Sequence, residues 1–289
     1  MTYDLVIGDR AYSSWSLRGW LLFDAFGIPV KTRSARLYTD ELTRMLADGF
    51  FPGRTAPTMR TPDGTVVPET IAIAEELATR HPDAGLWPAD PRARATARVL
   101  AAEMHAGFAA LRTHCPMNLR VSYTDCAPPQ GVLDDLARLE VLWAWARDTT
   151  GSATPWLCGE YSVADAFFAP IATRIATYNL PVGAQAMAYV QAHLAHPSFR
   201  RWRAMGLVDG ADQAFYRRDY PRRDWPGPRP LPARAVPGVQ AENAVCPYSG
   251  KPVTHVLELD GRRFGFCNAF CRDKTVADPE AWPKFMALL

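Results

Sequence analysis

The sequence predicts an α+β protein in three parts: a short βαβ–ββα unit, an all-α helical domain, and a small β-hairpin/helix module at the C-terminal end. Three observations carry this. β-prone runs alternate with helical stripes over roughly residues 1–82, strand signals almost vanish over 90–210 while amphipathic patterns lengthen, and a Pro/Arg-rich stretch (211–240) sets off a cysteine-bearing module (241–289). With 289 residues, 48% hydrophobic and 21% charged, the chain is long enough for two domains and a remainder.

The first strand is the apolar run Tyr3 to Gly8, and Trp15 to Phe26 follows as a helix with Leu17, Trp20, Leu21 and Ala25 on one stripe. Gly27 and Pro29 end it, and Val30 to Leu37 supplies a second strand parallel to the first. A short helix over Asp40 to Ala47 leads to a hairpin, Pro57 to Arg60 and Thr65 to Val67, closed by Pro62-Asp63-Gly64. The next helix, Thr70 to Arg80, is expected to bury Ile71, Ala74, Leu77 and Ala78 before Pro82 stops it.

In the helical part, one continuous helix is predicted over Arg92 to Thr113 and another over Val132 to Arg147. Ser162-Val163-Ala164-Asp165 then opens a central apolar helix with a capping-box signature, interrupted by Pro170. The prolines and arginines of 217–240 predict an extended spacer without regular structure. Beyond it, Val256 to Asp260, Gly261 and Arg262 to Phe266 read as a hairpin, and Asn268 to Lys274 as a helix.

A net charge of +2 provides no global field for nucleic acid or an anionic membrane, so neither is an expected partner. No apolar run reaches membrane-spanning length and Met1 to Ile7 lacks a secretory pattern, which predicts a cytoplasmic protein. The six cysteines lack the even density of a disulfide scaffold and read as reduced thiols or metal ligands.

The candidate site begins in the loop Ala11 to Arg18, between first strand and first helix, where free N–H groups favour an anion. A hydroxyl of Ser13 or Ser14 there either caps the helix or donates a hydrogen bond to a thiolate and lowers its pKa. Ala56-Pro57 precedes a strand, where a cis proline presents the Ala56 backbone to an extended peptide. Glu69-Thr70 opens a helix, where the hydroxyl and N–H groups suit a carboxylate and Glu69 suits an ammonium.

Together, Ser13-Ser14-Trp15-Ser16-Leu17-Arg18, Ala56-Pro57, Pro68-Glu69-Thr70 and the Ser162–Asp165 box resemble the cytosolic glutathione S-transferase superfamily over roughly residues 1–210. The serine-type loop is most similar to the zeta and related bacterial classes. The resemblance implies a thioredoxin-like N-terminal domain, an all-α second domain that shapes the electrophile pocket, and a homodimer. Glutathione is the implied co-substrate, bound by Ser13, Ser14, Trp15, Ala56, Pro57, Glu69 and Thr70, with Ser13 or Ser14 activating its thiol.

There are departures. Trp15 stands where zeta-class maleylacetoacetate isomerases have cysteine, Ala56 replaces a usual valine, and Thr70 replaces a usual serine. Arg18 is expected either beside the thiol or in a structural ion pair. Tyr12, Trp15, His105 and Phe108 are the candidate pocket wall.

In the last part, Cys246 lies in a tight turn, and Cys267 and Cys271, four apart, are placed on one helix face. Three thiolates suit zinc or copper(I). Their spacing and Phe264-Gly265-Phe266-Cys267 resemble the TRASH and YHS family of metal-binding modules, with Ser249 where zinc-knuckle relatives often have a second cysteine, so that a fourth ligand is missing unless His255, a water or a partner supplies it. The competing reading is a module packed by Phe264, Phe266, Phe270, Trp282 and Phe285. The sequence therefore points to a glutathione transferase acting on a small electrophile, peroxide or disulfide, with a non-catalytic glutathione- and metal-binding sensor as the alternative.

Overall fold

A computed structural model describes residues 2–289. The chain divides into two compact units, the first running to Leu194 and including Gln213–Pro226, the second comprising Ala195–Asp212 and Gly227–Leu289.

The first unit opens with β1 (Tyr3–Ile7), α1 (Ser14–Asp24) and β2 (Val30–Ser34), then α2 (Asp40–Gly49), β3 (Thr58–Arg60), β4 (Val66–Pro68) and α3 (Thr70–Arg80). The strands form one sheet in the order β2-β1-β3-β4. β1 pairs parallel with β2, Leu5 opposite Thr32, and antiparallel with β3, Leu5 opposite Met59. This is the thioredoxin-like arrangement. Val6 joins Leu42, Leu46 and Phe50 in a cluster under α2, and strand alternation sends the buried Leu5 and Ile7 to the opposite face. On α3 the buried residues are Thr70, Ile73, Ala74 and Leu77, so Ile73 takes the core position expected of Ile71, and Ala78 is only half-buried.

The helical part contains α4 (Pro91–Ala106), α5 (Ala109–His114), β5 (Ser122–Tyr123), α6 (Gln130–Thr150), α7 (Val163–Tyr178) and α8 (Ala184–Ala195). The single helix expected over 92–113 is broken. Gly107 is extended and Phe108 is left-handed, with φ of 62°. Glycine weakens a helix interior, and the break is supported because the Asp135 carboxylate accepts the Leu111 N–H of α5 at 2.8 Å.

α7 is buried along its whole length. Its first turn is organised by the buried Asp165, which accepts hydrogen bonds from Ser162 N–H (2.9 Å), Ser162 hydroxyl (3.1 Å), Leu157 N–H (3.2 Å) and Tyr189 hydroxyl (2.8 Å). The Pro170 carbonyl accepts from Thr173 Oγ1 and Arg174 Nη1. Among the described residues, no helix is long and apolar enough to cross a membrane.

The Pro/Arg-rich stretch is more regular than its composition predicts. Strand β6 (Arg222–Arg223) pairs with β5, and Arg223 also donates to Ser122 Oγ and the Ala176 carbonyl. The edge position explains this, because flanking prolines are tolerated where few ladder bonds are required.

The second unit contains α9 (Pro197–Val208), a three-stranded sheet of β7 (Ala233–Val236), β8 (His255–Leu259) and β9 (Arg262–Phe266), and α10 (Ala269–Ala277) and α11 (Pro283–Met286). Strand β7 is the second regular element within the expected spacer. Asp260 and Gly261, both at positive φ, form the two-residue turn between β8 and β9. Val256, Leu257, Phe264, Phe266 and Phe285 make the core, whereas Phe270 is 36% exposed and does not join it. Arg200 of α9 holds Asp278 through Nε (2.8 Å) and Nη2 (2.6 Å).

Candidate functional site

The loop from β1 to α1 is shaped by hydroxyls and one carboxylate. Ser13 caps α1 by accepting from Ser16 N–H (3.2 Å) and donates to Ser16 Oγ (2.8 Å), which accepts the Gly8 N–H (2.9 Å). The Ser13 hydroxyl is therefore engaged on both sides. Ser14 is the first residue of α1, and its Oγ accepts from Arg174 Nη2 at 3.3 Å, leaving its proton for another acceptor.

Trp15, Thr55 and Ala56 border two cavities. The smaller, about 240 Å³, is bordered by Trp15, Thr55, Ala56, Pro57, Glu69 and Thr70. The Ala56–Pro57 bond is cis. Thr70 is 1% exposed and its Oγ1 has no hydrogen-bond partner among the described residues. A buried hydroxyl without a partner is costly, and this one stands at the N-terminus of α3, where N–H groups favour an anion. Glu69 precedes it at a φ of 69°, with its half-exposed carboxylate 3.8 Å from His105 Nε2. Non-glycine residues take such a backbone conformation at a cost and concentrate at functional sites. The cavity thus combines a free hydroxyl, helix N–H groups and a carboxylate.

The larger cleft, about 520 Å³, includes Ser13, Ser14, Trp15 and Ala56, so it meets the smaller cavity along the loop. Tyr12 and Trp15 line it as expected. His105 and Phe108 do not: His105 packs edge-on against Trp15 at 5.1 Å, and Phe108 is buried at the α4–α5 break. Burial, with Arg18 nearby, holds the His105 pKa below the usual imidazole value.

Arg18 lines neither cavity and forms no ion pair among the described residues. It is 2% exposed, its guanidinium lies 4.6 Å from the Trp15 ring centre and 5.4 Å from that of Phe167, and its Nε and Nη1 have no hydrogen-bond partner among the described residues. Burial first, then Arg112 and Arg174, lowers its pKa well below the ordinary guanidinium value.

Sequence reasoning missed Arg112, Arg174, Tyr38, Phe215 and Tyr216, all of which line the larger cleft. One signal was legible: Arg174 is the one basic residue of a mostly apolar helix, a position expensive to fill without a role.

In the second unit, the ligand atoms of Cys246, Cys267 and Cys271 all lie within 4.8 Å of one another. The two later cysteines do not share a helix face as expected. Asn268 caps α10, so Cys267 lies outside the helix and only Cys271 lies within it, with their sulfurs 4.0 Å apart. The Ser249 hydroxyl donates to Cys267 Sγ at 3.1 Å. Burial raises the Cys246 pKa, but backbone N–H groups of Cys267, Tyr248 and Ser249 aimed at its sulfur outweigh this and lower it overall. Three thiols so placed, one with N–H donors favouring its thiolate, fit a soft divalent or monovalent cation.

A thioredoxin-like sheet followed by an all-helical domain is the architecture of glutathione transferases. Residues 12–80 match the family model for the glutathione S-transferase N-terminal domain. Among solved structures, a glutathione transferase homolog from Burkholderia gl BGR1 with bound glutathione is similar at a TM-score of 0.53 and 21% identity, over 71% of this chain and 98% of that one. Glutathione transferase Omega 3C from Trametes versicolor is similar at 0.54 and 18%, over 75% and 92%. A maleylacetoacetate isomerase from Anaeromyxobacter dehalogenans 2CP-1 with bound glutathione is similar at 0.50 and 23%, over 70% and 94%. At these identities the likeness is one of fold. No curated protein matches the chain.

Proposed function

We propose that the protein is a serine-type glutathione transferase, binding glutathione along the loop between the two cavities and directing its thiolate at an electrophile in the larger cleft. The observation that carries this reading is the unpartnered, buried Thr70 hydroxyl opening α3 beside Glu69, with the serine pair on the other side of Trp15. Thr70 and the α3 N–H groups receive the γ-glutamyl carboxylate, Glu69 its ammonium, and the Ala56 backbone the cysteinyl unit. The thiol then faces Ser13 and Ser14. Ser14 is the activating hydroxyl, because Ser13's proton is already donated to Ser16 and a hydrogen bond to sulfur stabilises the thiolate.

In the reaction a carbon–sulfur bond forms, the leaving group departs with its electron pair, and the thiol proton goes to solvent. Peroxides and disulfides are the other electrophiles such a thiolate reduces, with a second glutathione completing the exchange. The serine-type loop supports a zeta-like placement. The Trp15 indole in the cysteine position removes isomerisation from the proposal. A homodimer follows from the family reading, and a reducing cytoplasm suits six free cysteines. The proposed domain limits are those given above, 1–82, 90–210, 211–240 and 241–289.

A second reading is favoured by one observation, the approach of three sulfurs within 4.8 Å. In it, Cys246, Cys267 and Cys271 of a TRASH/YHS-like module hold zinc or copper(I), and glutathione is a ligand rather than a substrate. Calorimetric titration with glutathione, conjugation assays against a panel of electrophiles, light scattering and elemental analysis test both. Glutathione uptake with turnover supports the transferase. Glutathione uptake and about one metal equivalent per chain without turnover supports the sensor. A Cys267→Ser variant is expected to lose metal while keeping glutathione affinity; unchanged metal content in it removes the thiol site.

A further inference from the structure

The larger cleft bears a charge pattern that defines its second substrate, an inference that rests on the transferase reading. Three arginines, Arg54, Arg112 and Arg174, line it, and no aspartate or glutamate does. Arg54 is exposed beside Thr55 and Ala56. Arg112 and Arg174 come from the helical part, on the side of Ser14 and Trp15, and neither is paired with a carboxylate among the described residues; Arg174 Nη2 donates to Ser14 Oγ at 3.3 Å.

Both are fixed by neutral groups. Arg174, 4% exposed, donates to the carbonyls of Cys115 (2.9 Å) and Pro170 (3.1 Å). Arg112 donates to the carbonyls of Met104 and His105, and its guanidinium lies 4.9 Å from the Trp15 ring centre. Its buried Nε has no hydrogen-bond partner among the described residues. Asp135, which accepts the Leu111 N–H, offsets part of the Arg112 charge from a distance without pairing with it. Arg18, buried behind Trp15, adds a third cation with no acid paired to it among the described residues. Carbonyl dipoles position these cations without cancelling them, and desolvated cations gathered together are unfavourable until an anion arrives. Burial accordingly lowers the Arg174 pKa to about 10, with Arg112 adding to the effect.

The rim is aromatic and anchored. Tyr38 and Phe215, 79% and 68% exposed, stand edge to face at 6.2 Å, and Tyr12 stacks on Tyr216 at 4.7 Å. Gln213 Nε2 donates to Asp9 at 2.7 Å, the Tyr216 carbonyl accepts from Asn118, and the Tyr38 and Tyr216 hydroxyls lie 3.3 Å apart. Two large rings left in solvent at a cleft mouth suit a flat, apolar guest.

We infer that the second substrate is an aryl acid, its ring held at the Tyr38–Phe215 rim and its carboxylate or sulfonate bound by Arg112 and Arg174. With a haloaryl acid, the glutathione sulfur bonds to the ring carbon, chloride leaves with the bonding pair, and the thiol proton passes to solvent.

The test uses the full chain saturated with S-methylglutathione, which cannot react, and compares calorimetric binding of 3,5-dinitrobenzoate with its methyl ester. The acid is expected to bind about tenfold tighter or more, as charge-assisted hydrogen bonds allow. Arg112→Gln is expected to abolish that preference, while Arg112→Lys, which keeps the charge, retains part of it. Near-ultraviolet circular dichroism verifies the fold of each variant. Equal binding of acid and ester to the wild-type chain, or an undiminished preference in folded Arg112→Gln, overturns the inference. The preference for the acid over the ester in the wild-type chain decides the matter if Arg112→Gln does not fold. Failure of the transferase reading shows separately, as absence of glutathione uptake; a persisting preference for the acid then still supports the anion site.

Discussion

Arg174 Nη2 and Ser14 Oγ meet at 3.3 Å, joining the C-terminal half of α7 to the first residue of α1. A guanidinium has donors only, so this contact uses Ser14 as an acceptor and aims its proton elsewhere. The two adjacent serines are chemically alike yet differently employed, one as a helix cap and the other as a cleft hydroxyl.

The division of labour predicts two distinct phenotypes. Ser14→Ala is expected to lower the rate of glutathione conjugation about 100-fold, on the scale of losing one positioned donor to a developing anion, with little change in glutathione affinity. Ser13→Ala is expected to cost about 1 kcal/mol of stability through the lost cap. Steady-state kinetics and thermal melts read the two effects. A greater loss of rate in folded Ser13→Ala than in Ser14→Ala reverses the assignment.

Gly19 makes the next prediction. A Cβ at this position of α1 stands 2.7 Å from Pro57 Cγ, so helix and loop approach as closely as a side-chain hydrogen permits. Gly19→Ala gains helix propensity but forces Pro57 and the neighbouring Ala56 backbone to move. The expected result is a net destabilisation of about 1–3 kcal/mol and weaker glutathione binding. A variant more stable than the wild type shows that the loop yields freely.

The second unit depends on a different kind of contact. Arg200 and Asp278 have side chains 18% and 10% exposed and form a bidentate pair that ties α9 to the segment after α10. Removing one partner of a largely desolvated pair strands the other. Arg200→Ala is therefore expected to destabilise this unit by about 2–3 kcal/mol. Hydrogen exchange should localise the loss to α9 and α10, with β1 to β4 unaffected.

Much of this architecture was legible because local pattern and tertiary role agree. The capped α1, the Asp-Gly turns, the Ser162–Asp165 box and the β8–β9 hairpin are all set by residues within a few positions of one another. The parts that were not legible depend on distant partners. Apolar periodicity runs through Gly107 and Phe108, and the break there is completed by Asp135 from α6. Strand β6 is two residues long, too short for a period, and exists because β5 lies beside it. Arg112 and Arg174 are 62 positions apart in sequence and meet the cleft only once α5 and α7 are folded. Cys267 and Cys271 have helical spacing, but Asn268 supplies a cap between them and the helix starts at Ala269, two residues too late.

Thr70 offers the sharpest separation of stability from binding. Its hydroxyl is buried without a partner among the described residues, so in the ligand-free protein it contributes an unsatisfied polar group rather than an interaction. Replacing such a group by an isosteric apolar one is neutral or stabilising. Thr70→Val should thus leave the melting temperature unchanged or raise it. If the hydroxyl receives the γ-glutamyl carboxylate, the same change removes a charge-assisted hydrogen bond and leaves the carboxylate short of one donor, which weakens glutathione about tenfold. Calorimetric titration beside a thermal melt reads both quantities on one preparation. A destabilised variant would mean that the hydroxyl has a partner in the free protein, and an unchanged affinity would move the carboxylate away from the start of α3. Only a stable variant with weakened binding fits a hydroxyl held in reserve for the ligand.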